Sequence, residues 1–272
     1  MKLTVSSIAW TNEEEKDVAE LLQKLGVKYV EVAPTKLWDD PTKASDQDIE
    51  NYKSFWQSYG IEIVAFQSML FTRPDLKIFE DEENRQSTLT YLKDFTVLAG
   101  KMGAQVMVFG SPKNRQKGDM AIDEANRIAA EFFGEIGATA SQNDVYFCIE
   151  PNPTVYACDF VTTARDGIDF VKSVDSDGFG LHLDIAGMTL AGDDIVASIK
   201  DAASLLRHFH ISSPMLEQVE DREDVHHRDA AEALKSIGYD RFVSIEMRPA
   251  AVGENVARLE KAVRFAQDVY SS

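Results

Sequence analysis

Phe147-Cys148-Ile149-Glu150, Leu181-His182-Leu183-Asp184, Leu206-Arg207-His208-Phe209-His210 and Phe242-Val243-Ser244-Ile245-Glu246 are four short apolar runs, each ending on a side chain able to bind a divalent metal. The terminal residues lie 34, 26 and 36 positions apart, which leaves room in each interval for one helix and one further strand. Two Glu, one Asp and one His at the ends of successive strands make an oxygen/nitrogen ligand set. Such a set suits Mn, Mg, Co or Zn rather than a thiolate-selected metal.

Outward from these runs the whole chain alternates. Short stretches rich in Val, Ile, Phe and Leu predict strands over Leu3–Ala9, Tyr29–Val32, Ile61–Gln67, Gln105–Gly110, Val145–Glu150, Phe179–Asp184, Leu206–Ile211 and Phe242–Glu246. Between them, helices are expected over Glu13–Leu25, Asp46–Tyr59, Glu83–Met102, Ile122–Gln142, Thr162–Ser173, Asp194–Ala203, Ala230–Ile237 and Asn255–Val269. Cap signals support the first three: Thr11 or Asn12 and Ser45 open two of them, and Gly26, Gly60 and Gly103 close all three. Strict alternation argues parallel strands joined by right-handed crossovers. Eight such units predict an α/β fold of the (β/α)8 type, a single TIM barrel spanning 1–272. A doubly wound open sheet is the alternative, but the first strand–helix junction, Ser6-Ser7-Ile8-Ala9-Trp10-Thr11, has no glycine-rich phosphate fingerprint.

Strand side chains alternate faces, so each terminal residue shares a side with the residue two before it. Cys148 goes with Glu150, His182 with Asp184, His208 with His210 and Ser244 with Glu246, all towards the barrel axis. A barrel interior is normally filled by branched apolar side chains. A polar column on four consecutive strands fits a supporting layer beneath a ligand ring better. One Glu or His at a strand end is most often a capped or solvated group; four in one register are much harder to reach by chance. His182 and His208 read as buried, hydrogen-bonded core residues, His226 and His227 as surface, and Cys148 as a small core filler.

The bulk composition narrows the partners. Net charge is −18, and so acidic a surface repels phosphate backbones and anionic lipid, which argues against nucleic acid and membrane. The two cysteines, Cys148 and Cys158, do not form a disulfide scaffold. No run reaches transmembrane length, and Met1-Lys2-Leu3-Thr4-Val5 lacks the apolar stretch of a signal peptide, so a cytoplasmic protein is expected.

Cys148-Ile149-Glu150-Pro151-Asn152-Pro153, His182-Leu183-Asp184, Phe209-His210-Ile211 and Gly238-Tyr239-Asp240-Arg241-Phe242-Val243-Ser244-Ile245-Glu246 together resemble the xylose isomerase-like TIM barrels. The likeness is to sugar isomerases and epimerases of the tagatose/psicose 3-epimerase kind, over essentially the whole length. It implies that Glu150, Asp184, His210 and Glu246 hold one divalent metal ion. It also implies that Glu150 and Glu246 flank the substrate carbon and move its proton through a metal-stabilised enediolate. The reaction class is sound chemically: a C–H beside a carbonyl is a weak acid, and a cation on the ketose oxygens stabilises the charge that deprotonation leaves. The implied function is a metal-dependent sugar or sugar-phosphate isomerase/epimerase. The alternative on the same barrel is a metal-dependent dehydratase of the inosose or dehydroshikimate type, and a homo-oligomer is compatible with either. An abasic-site endonuclease shares this barrel but needs several early histidines, and this chain has none before His182.

Three positions depart from the epimerase pattern: Tyr156 stands for a Glu, Gly187 for a His and Leu216 for an Arg, with Arg222 as a substitute for the last. The implied metal core is retained while sugar recognition changes. Asn152 and Tyr156 are candidate substrate contacts. The loop Gly110-Ser111-Pro112-Lys113-Asn114-Arg115-Gln116-Lys117-Gly118 is an island of positive charge, so Lys113 and Arg115 are candidates for a phosphate or carboxylate. Trp10, Trp38, Phe66 and Phe109 are candidates for the pocket wall, against the plainer reading as core.

Overall fold

The structure, a computed structural model, describes residues 1–270. Its strands are β1 (Lys2–Ser6), β2 (Tyr29–Val32), β3 (Glu62–Phe66), β4 (Val106–Phe109), β5 (Tyr146–Ile149), β6 (Phe179–Asp184), β7 (Leu206–Ser212) and β8 (Phe242–Glu246). Each pairs in parallel with the next, and β8 returns to β1, closing the barrel. The described helices are α1 (Glu15–Lys24), α2 (Asp46–Ser58), α3 (Glu82–Met102), α4 (Ile122–Gln142), α5 (Ala164–Val174), α6 (Ile185–Ala191), α7 (Ile195–Asp201), α8 (His227–Ser236) and α9 (Asn255–Tyr270). All eight expected strands and eight expected helices are present, with ends shifted by a few residues.

The local chemistry explains the limits. Ser45 and Asp48 cap α2 reciprocally, each side chain accepting from the other's backbone N–H. Gly103 ends α3 at φ +86°, a left-handed turn that a residue with a Cβ adopts only at a cost. The expected set lacks α6. Ile185, Ala186, Gly187 and Met188 are all buried, so this one-sided stretch carries no amphipathic period to reveal it.

Two apolar clusters hold the barrel. The larger packs the outer faces of the strands against the helices, with Phe66, Phe109, Phe147 and Phe209 fully buried. The smaller joins Val64, Val106, Val108, Cys148 and Phe242. Side chains from β3, β4, β5 and β8 meet only across the barrel axis, so this cluster fills the interior. Cys148 is the small filler expected, and burial pushes its thiol up to about 12. Among the described residues no helix is long and apolar enough to cross a membrane.

Candidate functional site

The strands end where the polar side chains begin. Asp184 is the last residue of β6 and caps α6, its Oδ1 accepting from the Gly187 N–H. Its Oδ2 accepts from the Ser212 hydroxyl of β7 at 2.5 Å. Both oxygens are therefore aimed by the strand–helix junction. His210 lies in β7, with Nδ1 3.2 Å from Glu246 Oε2 at the end of β8. Glu150 follows β5, and its N–H bonds Phe109 O at 3.1 Å, extending the ladder to β4 by one step. A Cβ on Gly110 would sit 2.4 Å from Glu150 Oε2, so the carboxylate occupies space that only glycine leaves at the end of β4.

Glu150, Asp184 and His210 each present a ligand atom, and these atoms lie within 4.8 Å of one another. The electrostatics reflect the crowding. Desolvation, followed by the charges of Glu246 and Asp184, pushes the Glu150 carboxyl up to about 8. Desolvation and Glu246 push Asp184 up to about 6. Burial alone would lower His210, but Glu31 and Glu246 hold it well above the ordinary imidazole range. Carboxylates gathered this closely repel one another, and a divalent cation among them relieves that repulsion. The donor set fits a hard or borderline divalent ion.

Beneath this group lies a layer that the strand pattern shows only in part. Glu31, from the middle of β2, is fully buried, and its carboxylate faces His210 Nε2 at 3.0 and 3.2 Å. The imidazole is thus hydrogen-bonded at Nε2 to Glu31 below, while Nδ1 lies within ion-pair distance of Glu246 above. Burial would raise Glu31, but His210 and His208 keep it well below the usual carboxylate range. Sequence reading missed Glu31, although a charged residue inside the four-residue strand Tyr29-Val30-Glu31-Val32 was the available signal. His208 Nε2 is 3.4 Å from Glu31, a loose contact. His182 is fully buried against His210, ring centroids 4.1 Å apart, and neither of its nitrogens has a partner among the described residues. The expectation of hydrogen-bonded core histidines is therefore corrected for His182 and for His208, whose nitrogens are likewise without a hydrogen-bond partner among the described residues. Burial, then the neighbouring imidazoles, drive His182 well below the ordinary range and keep it neutral.

The group opens into a pocket of about 390 Å³ lined by Glu150, Asp184, Glu246, Asn152, Tyr156 and Arg248, among others. Asn152 and Tyr156 are placed there as expected. Four other candidates are not. Arg115 is fully buried beneath the floor, its guanidinium donating to Phe109 O at 3.0 Å, to Glu150 O at 2.5 Å and to Phe160 O at 3.2 Å. It clamps the ends of β4 and β5, and its full burial outside the pocket lining takes it out of reach of a phosphate. Lys113 is exposed outside the pocket lining. Arg222 pairs with Glu217 and Asp224, both at 2.9 Å, away from the lining. Trp10 is core, packed edge-on against Trp56 at 6.1 Å. Trp38, Phe66 and Phe109 likewise pack into the core. His227, expected on the surface, is buried with Nδ1 2.9 Å from the Tyr270 hydroxyl, while His226 is exposed. Arg248 was missed; it stands two residues beyond Glu246, where the same alternation turns its side chain towards the pocket.

Residues 19–269 match the family described as the xylose isomerase-like TIM barrel. The chain belongs to this family. A D-psicose 3-epimerase of Ruminiclostridium cellulolyticum is 26% identical over 274 residues, covering 94% of this chain and 88% of that protein. The crystal structure of D-psicose 3-epimerase with D-tagatose from Clostridium cellulolyticum H10 superposes with a TM-score of 0.81 at 21% identity, over 99% of each chain. The structure of the IOLI protein with a bound zinc atom superposes with a TM-score of 0.75 at 22% identity, over 100% of this chain and 98% of that one. Within this xylose isomerase-like barrel, Tyr156 and Leu216 line the pocket, and Gly187 gives its N–H to Asp184. A Cβ on Gly187 would lie 3.2 Å from that carboxylate, close enough that Asp184 would have to shift by a few tenths of an ångström.

Proposed function

We propose that the protein is a divalent-metal-dependent epimerase or isomerase of keto-sugars, with Glu150, Asp184, His210 and Glu246 as ligands and Glu150 and Glu246 as the proton carriers. The observation that carries this reading is the gathering of ligand atoms from Glu150, Asp184 and His210 within 4.8 Å of one another, with Glu246 3.2 Å from His210 and the three carboxylates lining one pocket, a crowding that a cation would relieve. A cation bound there would stabilise negative charge developing on the substrate's carbonyl and hydroxyl oxygens. The remaining work falls to the protein. Glu150, partly buried at the pocket and beside Asp184 and His210, is placed to exchange a proton with the substrate carbon. Glu246, across the pocket, can return a proton to the opposite face of the substrate carbon and so invert it. Return to the neighbouring carbon would instead isomerise the sugar. Asn152 and Tyr156 supply polar groups for orientation, and the Tyr156 hydroxyl is fixed by the Met215 N–H at 3.0 Å.

The test is hydrogen exchange. Ketoses are incubated with the metal-loaded protein in deuterated water and followed by NMR. Wild type should exchange the C–H beside the carbonyl, and Glu150→Gln and Glu246→Gln should each lose about 10²–10⁴-fold in rate. Native exchange in both variants would remove them from the proton path, and full activity after verified metal removal would end the metal-dependent reading. Loss of a β-hydroxyl in the same spectra would mark a dehydratase.

A further inference from the structure

Six large apolar side chains are strongly exposed among the described residues, and four of them share one end of the barrel. Phe71 (82% exposed), Val155 (57%), Met215 (46%) and Val252 (63%) lie in the loops that follow β3, β5, β7 and β8. Three are tied to the pocket mouth. The Phe71 N–H bonds Ser68 O, and Ser68 lines the pocket. Val155 adjoins Tyr156, whose hydroxyl holds the Met215 N–H, and Met215 itself lines the pocket. The backbone here is strained. Met215 and Leu216 are left-handed at φ 59° and 55°, a conformation that costs about 1–3 kcal/mol and persists where the surroundings enforce it. The Leu216 carbonyl is pinned by the Arg248 N–H at 2.8 Å. The pocket thus has carboxylates at its floor and Met215 and Leu216 on its wall, with Phe71 and Val155 on loops beside it, and its volume of about 390 Å³ lies within the roughly 300–1,000 Å³ typical of drug-sized ligands.

We propose that the substrate is a keto-sugar carrying an alkyl or aryl substituent on a carbon remote from the reacting centre, with the sugar against the carboxylates and the substituent across Phe71, Val155 and Met215. This rests on the proposed function and specifies its substrate class. Exposed apolar surface at a binding mouth is stabilised when a ligand covers it. Of the basic side chains among the described residues, Arg248 alone lines the pocket, and one guanidinium is a sparse anchor for a phosphate. A second copy of the chain laid across these loops would cover the mouth through which substrate must pass.

The test uses the full-length, metal-loaded protein with D-fructose, 6-O-benzyl-D-fructose and D-fructose 6-phosphate, read by calorimetry and by C–H exchange in deuterated water. The benzyl derivative should bind about tenfold or more tighter than fructose, and a Phe71→Ser/Met215→Ser double variant should shrink that ratio. Equal binding of fructose and its benzyl derivative, tightest binding of the phosphate, or an unchanged ratio in the double variant would overturn the proposal. So would sedimentation in which wild type dimerises and the double variant does not. Exchange with any of the three sugars reports separately on the proposed reaction. If none exchanges while the benzyl preference holds, the reaction falls and the amphipathic ligand stands.

Discussion

His210 shows how one side chain is specified from two directions. Its Nε2 faces Glu31 and its Nδ1 faces Glu246, so the ring has little freedom to turn. A carboxylate behind a ligating imidazole fixes its orientation and raises its basicity, and removing one typically costs about 10–100-fold in metal affinity. Glu31→Gln, which keeps the shape, should lower divalent-metal affinity by about that factor with circular dichroism unchanged; unaltered affinity would deny Glu31 this role. The same residues set the pH response of the metal-free protein. Glu150 is raised from 4.5 to about 8, so between those values the folded state holds a proton that the unfolded chain has released. Stability therefore falls as pH rises through that window, and His210, also raised, acts in the same direction above its ordinary value of 6.5. Glu31, lowered, adds stability that is present above 4.5 and lost as pH falls below it. Thermal melts in chelator should show Tm dropping from pH 7 to 8.5, above the range in which the lowered His182, His208 and His227 act in the opposite direction. Added divalent metal should flatten or reverse the slope, because binding displaces those protons.

At the scale of the element, the strand ends were the legible part. Period-two alternation placed Cys148, His182, His208 and Ser244 beneath the carboxylates, and the eightfold order followed from helix caps and apolar runs. Hidden were features that depend on how elements meet. Arg115 reads as a loop cation in sequence, yet three backbone carbonyls from separate strand ends and loops converge on its guanidinium. Glu31 is a single charge in a four-residue strand, a signal that sequence reading passed over, and the first four residues of α6 are all buried. Gly110 depends on such a meeting too. Gly110→Ala would put a methyl group within 2.4 Å of Glu150 Oε2 and force the carboxylate off its position. Expected is a loss of activity of about 10²-fold with little change in Tm, checked by kinetics beside melting curves. Equal activity would mean that Glu150 acts from another rotamer.

For the whole molecule, barrel closure depends on more than strand pairing. Lys2 N–H bonds Arg241 O at 2.9 Å, and the buried Glu14 carboxylate accepts from Asn255 Nδ2 at 2.6 Å and from the Gly253 N–H at 2.9 Å, joining the first helical turn to the start of α9 and the residues just before it. The side chains of the site are unevenly divided around this ring. Glu150, Asp184, His210 and Glu246 all come from β5–β8, while β1–β4 contribute Glu31 behind the imidazole and Gly110 beside Glu150. One half carries the proposed ligands and the other holds groups that contact them. Cleaving the chain in the exposed stretch near Asp119 should therefore yield two pieces that complement each other. The C-terminal piece, with every proposed ligand, should bind divalent metal weakly alone and regain affinity when the N-terminal piece is added. Metal uptake would then serve as a gauge of reassembly, a mechanical coupling between two half-rings.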